Sequence, residues 1–191
     1  MKRTGPVATI EPLRASAFED YRAHFERHQR ENGVDGAYFM PFSPNDPDAP
    51  VGLDAASLEH PLSEKRWKRA WVVRDGAVRD AGDVVGCVSL AGAPLRTAGH
   101  RCQLGMGLEA AWRGRGFGRR LMDVALDFAR AEPGIAWVDL QTFGSNAPAI
   151  ALYEALGFET IGVRRDAFRI DGTIVDDVFM TLNVARASRP E

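Results

Sequence analysis

Residues 112–122 read WRGRGFGRRLM. Gly114, Gly116 and Gly118 alternate with Arg113 and Arg115, then Arg119 and Arg120 lead into an apolar run with helical spacing, Phe117, Leu121, Val124 and Phe128. A helix start offers unpaired backbone N–H groups and the positive end of the helix dipole, which together attract anions. Glycines allow a phosphate to approach those groups with no Cβ in the way. The run therefore reads as a cradle for a diphosphate. A Walker loop would need Gly-Lys-Ser/Thr, which is absent, and a dinucleotide fingerprint would need a third glycine where Arg119 stands. Solvated arginines over a tight turn are the plainer alternative.

Outward from this run the chain alternates strands and helices. Upstream, VATI (7–10) is a strand, and a helix follows with Ser16 and Glu19 spaced as a capping box and Phe18, Tyr21 and Phe25 on its inner face. Asn32-Gly33 stops it. Residues 34–62 are proline-rich yet carry Tyr38, Phe39, Met40 and Phe42, the mark of an ordered loop rather than a linker. RAWVVRDG (69–76) and DVVGCVSLAG (83–92) form a hairpin, and RCQLGMGLEA (101–110) is the next strand. Gly105 and Gly107 there suggest a bulge or close approach by another backbone. Downstream, Glu132-Pro133-Gly134 ends the arginine-led helix and 135–143 is a strand. Asn146 caps a helix closed by Gly157, and Asp171-Gly172 turns a final hairpin. The order β-α-β-β-β-α-β-α-β-β predicts an α/β fold with a mixed sheet and helices on both faces. A chain of 191 residues suits one domain, 1–184, with a loose tail at 185–191.

Apolar residues make up 45% of the chain, charged residues 26%, and the net charge is −2. That balance is globular and gives no general attraction to nucleic acid or an acidic membrane. Cys87 and Cys102 are too few for a disulfide scaffold, and no Cys/His cluster has metal-ligand spacing. With no signal-peptide pattern and no membrane-length apolar run, the expected location is cytoplasmic.

Arg113-x-x-Gly116-x-Gly118 resembles the acyl-CoA signature of the GNAT family of N-acetyltransferases. The segment SNAPAIALYEALGF resembles that family's second motif, filled here by Asn146, Ala149, Tyr153, Gly157 and Phe158. The closing RIDGTIVDDVFMTL is similar to the end of members that acetylate amino acids, other small amines or protein N-termini. The resemblance is firm over 83–182 and implies a GNAT-like fold with a sheet splayed at its centre.

It further implies acetyl-CoA as acyl donor, with no metal. The diphosphate would lie on the amides of Arg113, Gly114, Arg115, Gly116, Phe117, Gly118 and Arg119. The pantetheine arm would pair like an added strand with residues 106–110, including Leu108, Glu109 and Ala110. N–H groups around Leu108 and Glu109 would polarise the thioester carbonyl, and Tyr153 would protonate the departing sulfur. Where some relatives carry a glutamate as base, this chain has Gln141. Glu109 is the first candidate in its place and Asp139 the second, with a water relay as the third answer; His100 is a lone histidine at a loop–strand junction. The acceptor is expected to be a small primary amine, which acidic residues in 45–64 would attract or merely keep company with solvent. A protein N-terminus or lysine is the alternative acceptor, and a non-catalytic acyl-CoA sensor the alternative class. Apolar edges of the last hairpin make a homodimer an expected partner.

Overall fold

The structure is a computed structural model that describes residues 8–47, 49–50, 52–76 and 82–185. Val7, the middle of the first hairpin connection (77–81) and the tail from 186 lie outside the described residues. The elements follow the expected order: β1 (Ala8–Pro12), α1 (Phe18–Arg30), β2 (Lys68–Asp75), β3 (Val84–Gly92), β4 (Arg101–Leu108), α2 (Phe117–Ala131), β5 (Trp137–Phe143), α3 (Ala147–Glu154), β6 (Glu159–Ile170) and β7 (Thr173–Asn183). The strands make one seven-stranded sheet in the order β1-β2-β3-β4-β5-β7-β6. Every neighbouring pair is antiparallel except β4 and β5, which α2 joins as a parallel crossover.

The middle of β2 and most of β3 are buried on both faces and read as apolar runs, whereas β4 and β5 alternate buried apolar with polar or exposed positions. Leu121, Met122, Ala125, Leu126 and Ala129 of α2 bury against Val73, Val88, Leu90, Leu104, Val138, Leu140 and Met180 on one face. Each leucine fully buried there contributes about 1.5–3 kcal/mol. Val124 and Phe128, expected on the inner face, sit at its margin, where Phe128 covers the rings of Trp67 and Trp71. On the opposite face, Tyr21 of α1 packs with Leu13, Leu58, Val72, Val84 and Cys87.

Three local expectations are corrected. Ser16 does not cap α1: a 3₁₀ turn over Ala15–Ala17 precedes the helix, Ala17 is the cap residue, and Glu19 pairs with Arg22 instead. That turn moves the helix start one residue on, out of capping-box register. The buried face of α1 is Tyr21, His24 and His28, with Phe18 and Phe25 only half-buried. Finally, β4 carries no bulge; its register with β3 is continuous from Cys102 to Leu108. Gly107 is small because a Cβ there would lie 2.8 Å from Cδ2 and Nε2 of His28, so the close approach is by a side chain of α1. Gly105 faces Ser89 across an ordinary gap. The Asp171-Gly172 turn is as expected, both residues having positive φ (49° and 82°), the geometry a two-residue hairpin demands.

The His28 ring is stacked on Phe39 at 4.5 Å and on His24 at 5.7 Å, which restricts its retreat. Gly107→Ala is therefore expected to cost about 1–3 kcal/mol by overpacking. His28→Ala in the same chain should recover much of that loss; chemical denaturation of the two singles and the double variant checks the coupling.

Candidate active site

The turn into α2 is built by dihedral angles. Gly114 and Gly116 have φ of 69° and 82°, and a Cβ on either would meet no atom within 4 Å. Only the backbone conformation demands glycine there. Gly116 is the cap residue of α2 and supplies no side chain to the first-turn N–H groups, which a helix cannot satisfy itself. Gly118 differs: a Cβ there would make ordinary contact with Leu152 of α3 (3.5 Å) and Met106 of β4 (3.9 Å), so neither space nor a positive φ demands glycine at this position. The guanidinium groups are mostly engaged with their own neighbours. Arg115 lies over Trp112, Arg120 over Phe117, and Arg119 pairs with Asp123 at 2.9 Å. Arg113 points away from the turn: its Nε donates to the Leu108 carbonyl (2.8 Å) and a terminal nitrogen to Glu31 (2.7 Å), while the group covers Phe39.

Beside the turn, the sheet opens. β4 pairs with β5 only from Arg101–Trp137 to Leu104–Leu140; beyond that β4 follows β3 to Leu108, and β5 follows β7 to Phe143. The Glu109 N–H donates to the Val85 carbonyl at 3.0 Å. In an antiparallel ladder such bonds alternate, so Gly107 and Gly105 also turn toward β3 while Met106 and Leu108 turn into the gap. The Glu109 N–H is thus committed and cannot polarise a carbonyl in the gap. The Ala110 N–H is committed too, held by both oxygens of Glu31 (2.9 and 3.0 Å). Of the segment 106–110, the edge facing the gap is that of Met106 and Leu108.

The candidate bases are tightly bound. Glu109 Oε1 accepts from His24 Nδ1 (2.8 Å) and Arg27 Nε (3.1 Å). Burial works to raise its carboxyl, but the hydrogen bonds and charges of His24 and Arg27 outweigh it and hold the group below its ordinary value. Asp139 accepts from Nε and a terminal nitrogen of Arg101 and from the Thr181 hydroxyl (2.7 Å), tying β4, β5 and β7 together at the closed end of the gap. Tyr153 is buried on the α2 side of the sheet, against Phe158, and burial pushes its phenol up to about 12. It therefore stays protonated and able to donate. Asn146 caps α3, its side chain accepting from the Ala149 N–H, and Ala149 packs against the core.

On the α1 side lie groups that periodicity did not single out. His24 and His28 follow Tyr21 at helical spacing, a signal that a polar reading of histidine hides. Asn32 receives the N–H groups of Phe39 and Met40 and donates to the carbonyls of Met40 and Phe42, fixing the loop after α1. Tyr38 packs with Phe143, Ile170 and Val175, and its hydroxyl reaches Asp171 in the last hairpin (3.2 Å). This strap of aromatic residues crosses from α1 to the β6–β7 turn. Asp177, opposite Phe143 in the sheet, is buried with Oδ2 lacking a hydrogen bond, and burial raises its carboxyl although Arg164 stands 3.8 Å away. Among the described residues no helix is long and apolar enough to cross a membrane, and no group of three or more His, Cys, Asp or Glu has metal-holding geometry.

A family model described as the acetyltransferase (GNAT) family matches residues 32–158. Over 67 residues the chain is 42% identical to the N-alpha-acetyltransferase RimI of Mycobacterium tuberculosis, a match spanning 35% of this chain and 40% of that protein. Over 134 residues it is 27% identical to the L-amino acid N-acetyltransferase AaaT of Escherichia coli, covering 68% and 82% of the two chains. The chain thus spans less than half the length of the first of these relatives. Among solved structures, a GNAT-family acetyltransferase from Streptococcus pneumoniae superposes with a TM-score of 0.76 at 16% identity, over 93% of this chain and 99% of that one. The yncA structure from Salmonella typhimurium, solved with its cofactor acetyl-CoA, superposes at 0.72 and 19% identity, over 97% and 98%.

The Asp139 clamp carries its own test. Asp139→Asn keeps the shape but removes the charge that Arg101 and Thr181 share, and should lower stability by about 1 kcal/mol in chemical denaturation. An Asp139 that served only to carry a proton would show no such loss.

Proposed function

Because the chain belongs to the GNAT acetyltransferase family, we propose that it moves an acetyl group from acetyl-CoA to the primary amine of a small molecule, by direct attack. The observation that carries this reading is the edge of β4 past Leu104, where Met106 and the Leu108 N–H have no strand partner in β5, running into a glycine-built helix start. A buried strand edge needs partners, and a helix N-terminus with open N–H groups suits a diphosphate. Bound there, acetyl-CoA supplies the thioester that the amine attacks.

The residues then divide the work. N–H groups of the turn from Arg115 to Arg119 hold the diphosphate, with Gly114 and Gly116 setting their direction. Met106 and Leu108 present backbone groups to the pantetheine arm and to the carbonyl that gains charge. Tyr153 gives its phenolic proton to the sulfur as the C–S bond breaks and the C–N bond forms. Positioning supplies most of the acceleration. Glu109 and Asp139 act here as anchors: the first holds α1 to the end of β4, the second keeps the closed end of the gap shut.

The small-amine reading is supported by the strap through Tyr38 and Phe39, which covers the α1 side of the gap. Asp177, buried on that side with Oδ2 3.8 Å from Arg164 but without a hydrogen bond, is a group that an acceptor's ammonium would satisfy. A thiol-release assay with acetyl-CoA and a panel of amino acids, polyamines, amine drugs and N-terminal peptides tests the proposal. Release with free amino acids or small amines is the expected result. Peptide-only release would move the acceptor to protein N-termini, and tight coenzyme binding with no release would make the chain a sensor.

Two variants refine the test. Gly116→Val forces a branched residue into a left-handed conformation, a strain of about 1–3 kcal/mol, and should weaken coenzyme binding by about tenfold or more in calorimetry. Tyr153→Phe should lower kcat by about a hundredfold while leaving the coenzyme Kd within about twofold, since it removes a proton donor and little else.

A further inference from the structure

The transfer assigned above leaves one proton unplaced. The attacking amine becomes cationic as its bond to the acyl carbon forms, and Tyr153, a donor on the α2 side, cannot accept that proton. Glu109 and Asp139 are held by cations, and Gln141 has no basic form. We infer that His28 of α1 is the proton acceptor of the reaction, a catalytic residue, with Glu31 as its positioning carboxylate. This rests on the acetyl-transfer reading.

The geometry places His28 over the face of β4 at Gly107, between the two residues whose backbone groups turn into the gap. Its Cδ2–Nε2 side presses on Gly107, so closely that a Cβ would lie 2.8 Å from both atoms. Gly107 sits between Met106 and Leu108, the two residues turned into the gap. The missing side chain of Gly107 is therefore what admits an imidazole from another element to this spot. The ring is held in place by stacking, on His24 at 5.7 Å with planes 10° apart and on Phe39 at 4.5 Å.

The other side of the ring faces a carboxylate. His28 Nδ1 is buried and makes no hydrogen bond, and the carboxylate nearest to it in the structure is Glu31, with Oε2 3.4 Å away. A proton on Nδ1 faces that carboxylate; the lone pair then belongs to Nε2, on the strand side. Such contacts commonly tighten once substrate is bound. Glu31 is itself anchored by the Ala110 N–H and Arg113, so it offers a fixed charge to an imidazolium.

The charged groups acting on His28 come from three elements: His24 and Glu31 from the α1 segment, Glu109 from the end of β4, and Arg113 from the turn before α2. Burial, with the charges of His24 and Arg113, holds the resting imidazole neutral down to about 3, against the opposing pull of Glu109. The resting imidazole is thus neutral but weakly basic, and accepting a proton requires that its charged form be stabilised when substrate is bound. Closure of Nδ1–H onto Glu31 favours the charged form during turnover. In balance, the amine nitrogen bonds the acyl carbon, the C–S bond breaks, the sulfur takes the Tyr153 proton, and Nε2 takes the proton from nitrogen. Solvent then restores both side chains.

The test compares His28→Gln and His28→Ala with wild type, using acetyl-CoA and whichever small amine the panel identifies. Expected is a fall in kcat of about a hundredfold, with the coenzyme Kd unchanged by calorimetry. The alanine variant should regain rate with added imidazole, which a purely structural role would not produce. Glu31→Gln should fall by a smaller factor and shift the pH profile. Unchanged kcat in both histidine variants, alongside an impaired Tyr153→Phe, would overturn His28 and leave acetyl transfer standing. No turnover by wild type would overturn both. Nitrogen-15 NMR of the wild-type chain gives a readout free of activity and of mutant folding: His28 should be neutral with its proton on Nδ1 across about pH 5 to 8, and an Nε2-protonated ring would sink the assignment.

Discussion

The parting of β4 from β5 after Leu104 and Leu140 is the constraint on which the other features depend. An unpaired strand edge in the middle of a sheet exposes backbone groups where they are costly to leave alone. Two opposed demands keep it open. Each strand stays paired on its outer side, β4 to β3 as far as Leu108 and β5 to β7 as far as Phe143, so neither can bend back to close the gap. At the other end, Arg101, Asp139 and Thr181 link three adjacent strands side by side. The sheet is pinned where it must be continuous and divided where a ligand strand can enter.

The same economy explains the acidic groups around the gap. Glu109 and Glu31 both flank the turn before α2, where a free carboxylate would repel an incoming diphosphate. Each is neutralised by cations and N–H groups from a different element: His24 and Arg27 for the first, Arg113 and the Ala110 amide for the second. These pairs fasten α1 to the end of β4 and to the turn before α2. Arg113, the first residue of the signature motif, contributes through this fastening, since its guanidinium faces Glu31 and not the turn. Part-exposed pairs of this kind each add little stability; their value lies in fixing one side of the gap.

How much was legible in the sequence follows from how local each feature is. The turn into α2 could be read because its glycines and first-turn residues are consecutive, and their backbone requirement needs no distant partner. Asn146, Gly157 and Asp171-Gly172 were legible for the same reason. The capping box at Ser16 failed by one residue, since a 3₁₀ turn ahead of the helix shifts its start without altering the local composition. Gly105 and Gly107 were ambiguous because the reason for Gly107 is His28, in an element far away in the chain. His24 and His28 themselves were hidden by a pattern that counts histidine as polar, although they continue the buried face of Tyr21. The engagement of Glu109 and Asp139 was likewise invisible, since spacing places a carboxylate on a face but does not reveal which cation meets it.

The two faces of the sheet also carry different chemistry, for a physical reason. The α2 face is the larger apolar core, and a phenol buried there keeps its proton, which suits Tyr153 to donating. The α1 face carries the charged and aromatic residues: the His24–His28–Phe39 stack, the two carboxylates with their cations, and the buried Asp177. In the reading proposed above, a group held in the gap between β4 and β5 meets Tyr153 from one side and polar, charge-balanced groups from the other. A continuous sheet would keep those two environments apart, because its own backbone would stand between them. On that reading, opening the sheet along one short edge is what brings one reacting bond within reach of both.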